Sequence, residues 1–143
     1  MNEPLPQFVL DAFALLAFFQ GEPGAKRVEA LLDRAREQDA QLHLCLINYG
    51  EALYLIERRR GVEAARKAIN ILDHLPIVVV EADRPLTFAA ARIKAHHRLS
   101  YADAFAVALA QELDAAIVTV DPELKSVEGL VRIEWLDQPN APQ

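Results

Sequence analysis

Four carboxylate side chains in this sequence stand where an apolar, strand-like run ends or where a helix begins. They are Asp11, Glu51, Asp103 and Asp121. Carboxylates that share a small, poorly hydrated site repel one another, and a bound hard divalent cation with oxygen ligands relieves that repulsion. A cation held in this way makes water nucleophilic near neutral pH and neutralises negative charge that develops on a phosphate. The pattern therefore indicates a metal-dependent enzyme.

The elements that must position these acids are predicted from the apolar pattern. Near-continuous apolar runs, separated by segments with helical periodicity, occur at residues 7–10, 42–46, 77–80, 116–120 and 131–135. Strands of this kind are typical of a parallel sheet that helices cover on both faces. We predict an α/β fold, a three-layer α/β/α sandwich around a central parallel sheet. Because the carboxyl ends of parallel strands share one edge of the sheet, this fold would gather the four acids there.

Two predicted helices carry an acid near their start. The third helix has a buried stripe at helical spacing, formed by Tyr49, Ala52, Leu53 and Ile56. Glu51 lies off that stripe. A later helix begins at the cap residue Ser100. Its predicted inward side chains are Tyr101, Phe105, Ala108 and Leu109.

The composition is that of a globular domain in a reducing compartment. The chain has 143 residues, 52% apolar and 25% charged, so we expect a single domain at residues 1–136 and a flexible tail at residues 137–143. The one cysteine, Cys45, lies in an apolar run and is interpreted as a buried core residue. Neither a signal-peptide pattern nor a membrane-spanning apolar run is present, so we expect a soluble cytoplasmic protein without membrane contact.

Each acid also has a purely structural interpretation. Asp11 and Asp121 are suitable helix N-caps, and Ser100-x-x-Asp103 resembles a capping box with Asp in place of Glu. Glu51 is suited to the positive end of its helix. For any one acid this interpretation is the simpler one. For all four it is less satisfactory, because independent caps need not follow strands in an order that brings them to one sheet edge.

The net charge of −6 argues against a nucleic-acid binder that works through its overall field. Local basic clusters occur at residues 92–98 and in the run Arg58, Arg59 and Arg60. Arg58 lies seven positions after Glu51, so two helical turns return it to nearly the same face. The run is therefore a candidate phosphate contact, and the alternative is a solvated helix end.

The acids lie in four motifs whose order and spacing carry a family resemblance. The motifs are Val9-Leu10-Asp11, Asn48-Tyr49-Gly50-Glu51, Leu99-Ser100-Tyr101-Ala102-Asp103-Ala104 and Thr119-Val120-Asp121-Pro122-Glu123. Over essentially the whole chain they resemble the acidic motifs of PIN domains, in particular those of VapC-type ribonuclease toxins of prokaryotic toxin–antitoxin pairs.

The resemblance implies a PIN-like α/β/α fold and Mg²⁺- or Mn²⁺-dependent endoribonuclease activity at the four acids. It also implies a helper role for the hydroxyl of Thr119, two places before the last acid. For partners, it implies an RNA substrate, a homodimer, and a cognate antitoxin protein that covers the groove, often with a basic side chain reaching the acids.

Chemistry suggests how the acids would divide the work of phosphodiester hydrolysis. Our hypothesis is that Asp11 and Asp103 form the primary metal pocket and that Asp121 completes it directly or through water. Glu51 would hold or deprotonate the attacking water. Four carboxylates do not distinguish one cation from two.

Two departures from the family pattern keep an alternative function open. Phe13 stands where many members carry a small hydroxyl residue, and Val120 replaces a common Gly. The alternative is a catalytically inactive PIN-like module for binding or assembly. Two other classes fit less well, because Asp11-Ala12-Phe13 lacks the second acid of haloacid-dehalogenase-like phosphotransferases and Leu10-Asp11 lacks the acidic pair of response-regulator receivers.

Overall fold

The computed structural model describes residues 4–138. The predicted flexible tail lies mostly outside the described residues, which end at Gln138. The strands are β1 (Gln7–Leu10), β2 (Gln41–Cys45), β3 (Ile77–Val80), β4 (Ala116–Thr119) and β5 (Ile133–Trp135). The helices are α1 (Ala12–Phe19), α2 (Ala25–Arg36), α3 (Leu46–Arg60), α4 (Val62–Leu72), α5 (Arg84–His96) and α6 (Tyr101–Leu113), and a 3₁₀ helix spans Pro122–Val127.

The five strands form one parallel sheet in the order β3-β2-β1-β4-β5. In the centre, Val9 of β1 pairs with His43 of β2 on one side and with Ile117 of β4 on the other. The chain builds outward from β1 to β3 and then returns to place β4 on the other side of β1. The direction of strand order therefore reverses between β1 and β4, and the crevice at such a point is where open α/β sheets bind ligands.

Alternating side chains of the central strands enter two separate cores, which is why the strands are apolar throughout. Leu10 and Val118 pack with α1 and α2 on one face of the sheet. Val9 and Ile117 pack with α5 and α6 on the other. These two layers of helices confirm the predicted α/β/α architecture. Cys45 is fully buried, as expected of a core residue.

Three details of burial differ from the sequence prediction. Helix α6 is buried on every side from Asp103 to Ala110, whereas periodicity predicted one inward face. Tyr101, predicted to point inward, is 47% exposed, because it occupies the first position after the cap and precedes the part of the helix that the core encloses. At the sheet edge, Val78 and Val79 of β3 are exposed as well, so the helical layers cover the central strands more fully than this edge.

Helix α4 packs against α1 and α3 rather than forming part of either sheet layer. Leu16 of α1, Ile56 of α3 and Ala68 of α4 share a small third core. The turn from α3 into α4 is a single residue, Gly61, at φ +93°, a conformation that glycine adopts without steric cost. Within residues 4–138, no helix is both long and apolar enough to cross a membrane.

Candidate active site

The four predicted acids come together at the carboxyl edge of the sheet, beside the point where strand order reverses. Asp11 directly follows β1, and Asp121 comes two residues after the end of β4. Glu51 lies in the second turn of α3, and Asp103 lies in the first turn of α6. Because β1, β4 and the strand before α3 are parallel, the topology itself brings Asp11, Asp121 and Glu51 to one edge. Helix α6, which follows α5, adds Asp103.

The Asp11 carboxylate is fully buried and both of its oxygens accept a hydrogen bond. Oδ1 accepts the Ala14 N–H at 2.8 Å, which caps α1. Oδ2 accepts the hydroxyl of Thr119. The same hydroxyl oxygen accepts the backbone N–H of Asp121 at 2.9 Å. Thr119 therefore links the first acid to the backbone of the last across the β1–β4 junction, and Asp11 is both a cap and a member of the site.

Asp103 is 1% exposed, yet its carboxylate does not act in the capping box that the sequence allows. Ser100 Oγ caps α6 by accepting the Asp103 N–H at 3.0 Å. The Asp103 Oδ2 atom is buried without a hydrogen-bond partner among residues 4–138. Capping thus explains why Ser100 is present and does not explain the Asp103 side chain.

Glu51 faces the site rather than solvent. It lies off the apolar stripe of α3, as predicted, but it is half-buried and its Oε1 atom is shielded without a partner. One turn earlier, Asn48 is fully buried and donates from Nδ2 to the carbonyl of Ala102 at 3.0 Å, immediately before Asp103. The Asn48 Oδ1 atom also lacks a partner. Asn48 therefore fixes α3, which carries Glu51, against the start of α6.

Unpartnered buried oxygens are concentrated at this site. In the described part of the chain they are Asn48 Oδ1, Glu51 Oε1 and Asp103 Oδ2. Leaving a buried oxygen unsatisfied costs about 1–3 kcal/mol, so most proteins avoid it. Three such atoms beside four carboxylates indicate that the site is built to receive a cation or ordered water.

The electrostatics of the site also favour a bound cation. Burial, opposed by hydrogen bonds from Thr119 and Ala14, raises the pKa of Asp11 to about 7. Burial and the neighbouring Asp121 raise the pKa of Asp103 to about 8. The pKa of Glu51 is also raised, mainly by burial and then by the charge of Asp121. No ion pair within residues 4–138 involves these acids, so their repulsion is not relieved by a basic side chain.

A fifth acid, Glu123, joins the cluster although the sequence analysis gave it no role. One carboxylate oxygen from each of Asp103, Asp121 and Glu123 lies within 4.8 Å of the other two. Asp121 Oδ1 accepts the N–H of Glu123 at 3.0 Å and so caps the 3₁₀ helix. Asn48 was missed in the same way. The available signals were a polar residue that interrupts an apolar run at 48 and a proline at 122 that begins a tight turn.

The donor set fits a hard divalent cation. Carboxylate and amide oxygens are the ligands that hard divalent cations prefer. The described residues offer them from five acids and from Asn48 at a single edge. Buried carboxylates with raised pKa values also give a physical reason for binding, because the cation would replace the protons that these acids otherwise retain.

The arginine run does not reach the acids. Arg58, Arg59 and Arg60 are exposed at the end of α3, and Arg58 lies about 10 Å along the helix from Glu51 at 1.5 Å per residue. The Arg58 guanidinium lies 5.3 Å from the ring centroid of Tyr54. Both line an open groove between α3 and α4 that extends from Gly50, next to Glu51.

The two departures from the family pattern are packing residues. Phe13 packs against the cores on both sides of α1, and Val120 is buried with the α1 and α2 layer. The hydrogen bonds to Asp11 come instead from Thr119 and the Ala14 backbone. Neither Phe13 nor Val120 displaces an acid from the site.

The family model of the PIN domain matches residues 8–130, and the chain belongs to this family. A comparison with curated protein sequences finds no significant match.

Solved structures with the same fold include complexes and toxins named VapBC and VapC. A chain of VapBC2 from Rickettsia felis, bound to a promoter DNA fragment, gives a TM-score of 0.72 at 14% identity, covering 92% of this chain and 99% of that one. Mycobacterium tuberculosis VapC20, a toxin that cleaves the sarcin–ricin loop, gives a TM-score of 0.71 at 20% identity, and the match covers 89% of this chain and 98% of VapC20. A chain of DNA-bound VapBC from Salmonella typhimurium gives a TM-score of 0.73 at 17% identity, and the match covers 91% of this chain and 98% of that one.

Proposed function

We propose that this protein is a Mg²⁺- or Mn²⁺-dependent endoribonuclease that hydrolyses RNA phosphodiester bonds. The observation that carries the proposal is the set of buried, unpartnered oxygens among acids at the β1–β4 edge. Membership of the PIN domain family supports it. A structural cap or core acid would have its oxygens satisfied by the fold, and these oxygens are free to coordinate.

The residues would divide the reaction as follows. Asp103 and Asp121 would hold the cation, and Thr119 would keep Asp11 oriented beside them through its hydroxyl. When bound, the cation would neutralise negative charge on the phosphoryl oxygens and lower the pKa of a water molecule. Glu51 would accept the proton of the attacking water, and burial, which raises its pKa, makes its carboxylate a stronger base than a free one. The water oxygen bonds to phosphorus, and the bridging oxygen leaves and takes up a proton.

We further propose that the protein acts as the toxin of a toxin–antitoxin pair in the cytoplasm. The similar solved structures are VapC toxins and VapBC complexes. By this analogy the partners are a second copy of the chain and an antitoxin protein that covers the acids at the sheet edge. Co-purification of the protein with an antitoxin, and its mass in solution, test these two partners.

Cleavage of a labelled single-stranded RNA tests the proposed activity. We expect cleavage with Mn²⁺, none with excess chelator, and none by Asp11→Asn, because the substitution removes a charge from the cation site while an Asn side chain still caps α1. Binding of RNA without cleavage under any metal condition would support the inactive binding module instead.

The arginine run is expected to supply substrate contacts. Replacing Arg58, Arg59 and Arg60 by Ala should weaken RNA binding and lower the slope of log affinity against log salt by roughly one to three units, since each phosphate contact releases about one counterion. The matched control removes the same charge from α2, where Arg27, Arg34 and Arg36 are in ion pairs. An equal effect of both triple variants would show that only net charge matters.

A further inference from the structure

We propose that Glu123 is a direct cation ligand and that it forms, with Asp103 and Asp121, the solvent-facing part of the metal site. This inference rests on the proposed function, because it concerns the same cation. It adds a residue outside the four acids and identifies which side of the site the ion would enter.

The spacing of the three acids matches a coordination sphere. Their nearest oxygens lie within 4.8 Å of one another. In octahedral coordination with oxygens at about 2.1 Å from Mg²⁺, ligand oxygens lie about 3.0 Å apart when adjacent and about 4.2 Å apart when opposite. Side-chain rotations that move the oxygens by about 1–2 Å would therefore bring all three to bonding distance. Three carboxylates so close together are mutually repulsive without a cation.

A second observation points independently to a ligand. Asp103 is 1% exposed, and its Oδ2 atom has no hydrogen-bond partner within the described residues. Satisfying such an atom requires a species that enters from the open side, where Asp121 is half-buried and Glu123 is exposed. The three acids thus run from the floor of the site to its rim.

Asp11 differs from these three acids in a way that strengthens the assignment. Both of its oxygens already accept hydrogen bonds, from Ala14 and Thr119. Glu123 is held through its backbone instead, where the N–H donates to Asp121 and the carbonyl accepts from Ser126. The Glu123 carboxylate is therefore positioned by the turn and remains available. The hard divalent cations Mg²⁺ and Mn²⁺ fit this all-oxygen donor set.

Calorimetric titration with Mn²⁺ alone tests the assignment. We expect Glu123→Gln to weaken the dissociation constant about tenfold or more, the range seen when residues supporting a metal site are removed. Glu123→Asp keeps the charge but shortens the side chain, and a ligand role predicts an intermediate loss. The matched control Glu128→Gln removes the same charge from an exposed position at the end of the same 3₁₀ helix and should leave the affinity unchanged.

The outcomes separate this inference from the proposed function. If Glu123→Gln binds Mn²⁺ like the wild type while Asp103→Asn does not bind, Glu123 is not a ligand and the four-acid site stands. Equal weakening in Glu123→Gln and Glu128→Gln, or wild-type affinity in Glu123→Asp, would mean that Glu123 contributes only charge, which also overturns the assignment. Absence of Mn²⁺ binding by the wild type would overturn both proposals.

Discussion

Asp103→Asn should lower the rate of RNA cleavage by about 10³-fold or more. The substitution removes a ligand of the cation, and the cation's stabilisation of transition-state charge is worth several kcal/mol. The same variant should be more stable than the wild type in metal-free buffer at pH 8. The Asp103 carboxylate is buried next to Asp121, which raises its pKa to about 8, and a neutral amide removes that repulsion. Relieving even part of it is worth about 1–2 kcal/mol, or roughly 3–8 °C in Tm for a chain of this size.

Asp83→Asn is the matched control for this prediction. Asp83 caps α5 by accepting the Leu86 N–H at 2.9 Å, and Asp and Asn cap helices about equally well. This variant should therefore retain both wild-type cleavage and wild-type Tm. Near-normal cleavage by Asp103→Asn, or a Tm below that of the wild type, would show that Asp103 has a structural role and is not a cation ligand.

The stability of the metal-free protein should fall as pH rises from about 5 to about 8. Burial raises the pKa of Asp11 to about 7 and that of Asp103 to about 8, from ordinary values of 3.8. The native state therefore binds more protons than the unfolded chain throughout this window, and the free energy of unfolding decreases with pH. The stability contributed by protonation is complete below pH 4 and is lost as pH passes the raised pKa values.

Bound metal should restore the stability that the metal-free protein loses at pH 8. Mn²⁺ at a hundred times its dissociation constant adds about 2.7 kcal/mol to the native state, and binding weakens at pH 5 because protons compete for the carboxylates. Thermal scans at both pH values, with chelator and with Mn²⁺, measure both effects. A metal-free Tm that rises between pH 5 and pH 8, or a Tm at pH 8 that metal does not change, would contradict this account.

Much of the fold was predictable because the central strands obey a simple rule. A strand buried on both faces must be apolar throughout, and this pattern located β1 at its observed bounds and β2 and β4 within one residue. Strand order was not predictable in the same way. Nothing local in the sequence shows that β1 lies between β2 and β4, since this depends on how the crossovers pack.

The site was likewise predictable in part. The ends of predicted strands indicated where Asp11 and Asp121 would meet. The helper role of Thr119 came only from the family resemblance, and the link that its hydroxyl makes between these two acids was visible only in the structure. The catalytic roles of these residues remain predictions. Glu123 was missed because its position depends on the tight turn after Asp121, whose geometry the sequence does not show. Tyr101 was assigned inward because periodicity defines a helix face but not where along the helix burial begins.

The most direct test of the central claim is the origin of the oxygen that cleavage adds to RNA. The purified protein would cleave RNA with Mn²⁺ in isotope-labelled water, and the product ends would be analysed by mass spectrometry. A cation-activated water held by the acids predicts one labelled oxygen on each new terminal phosphate and no cyclic phosphate. Ends with a cyclic phosphate, or cleavage that continues in excess chelator, would contradict a metal-dependent hydrolysis at this site.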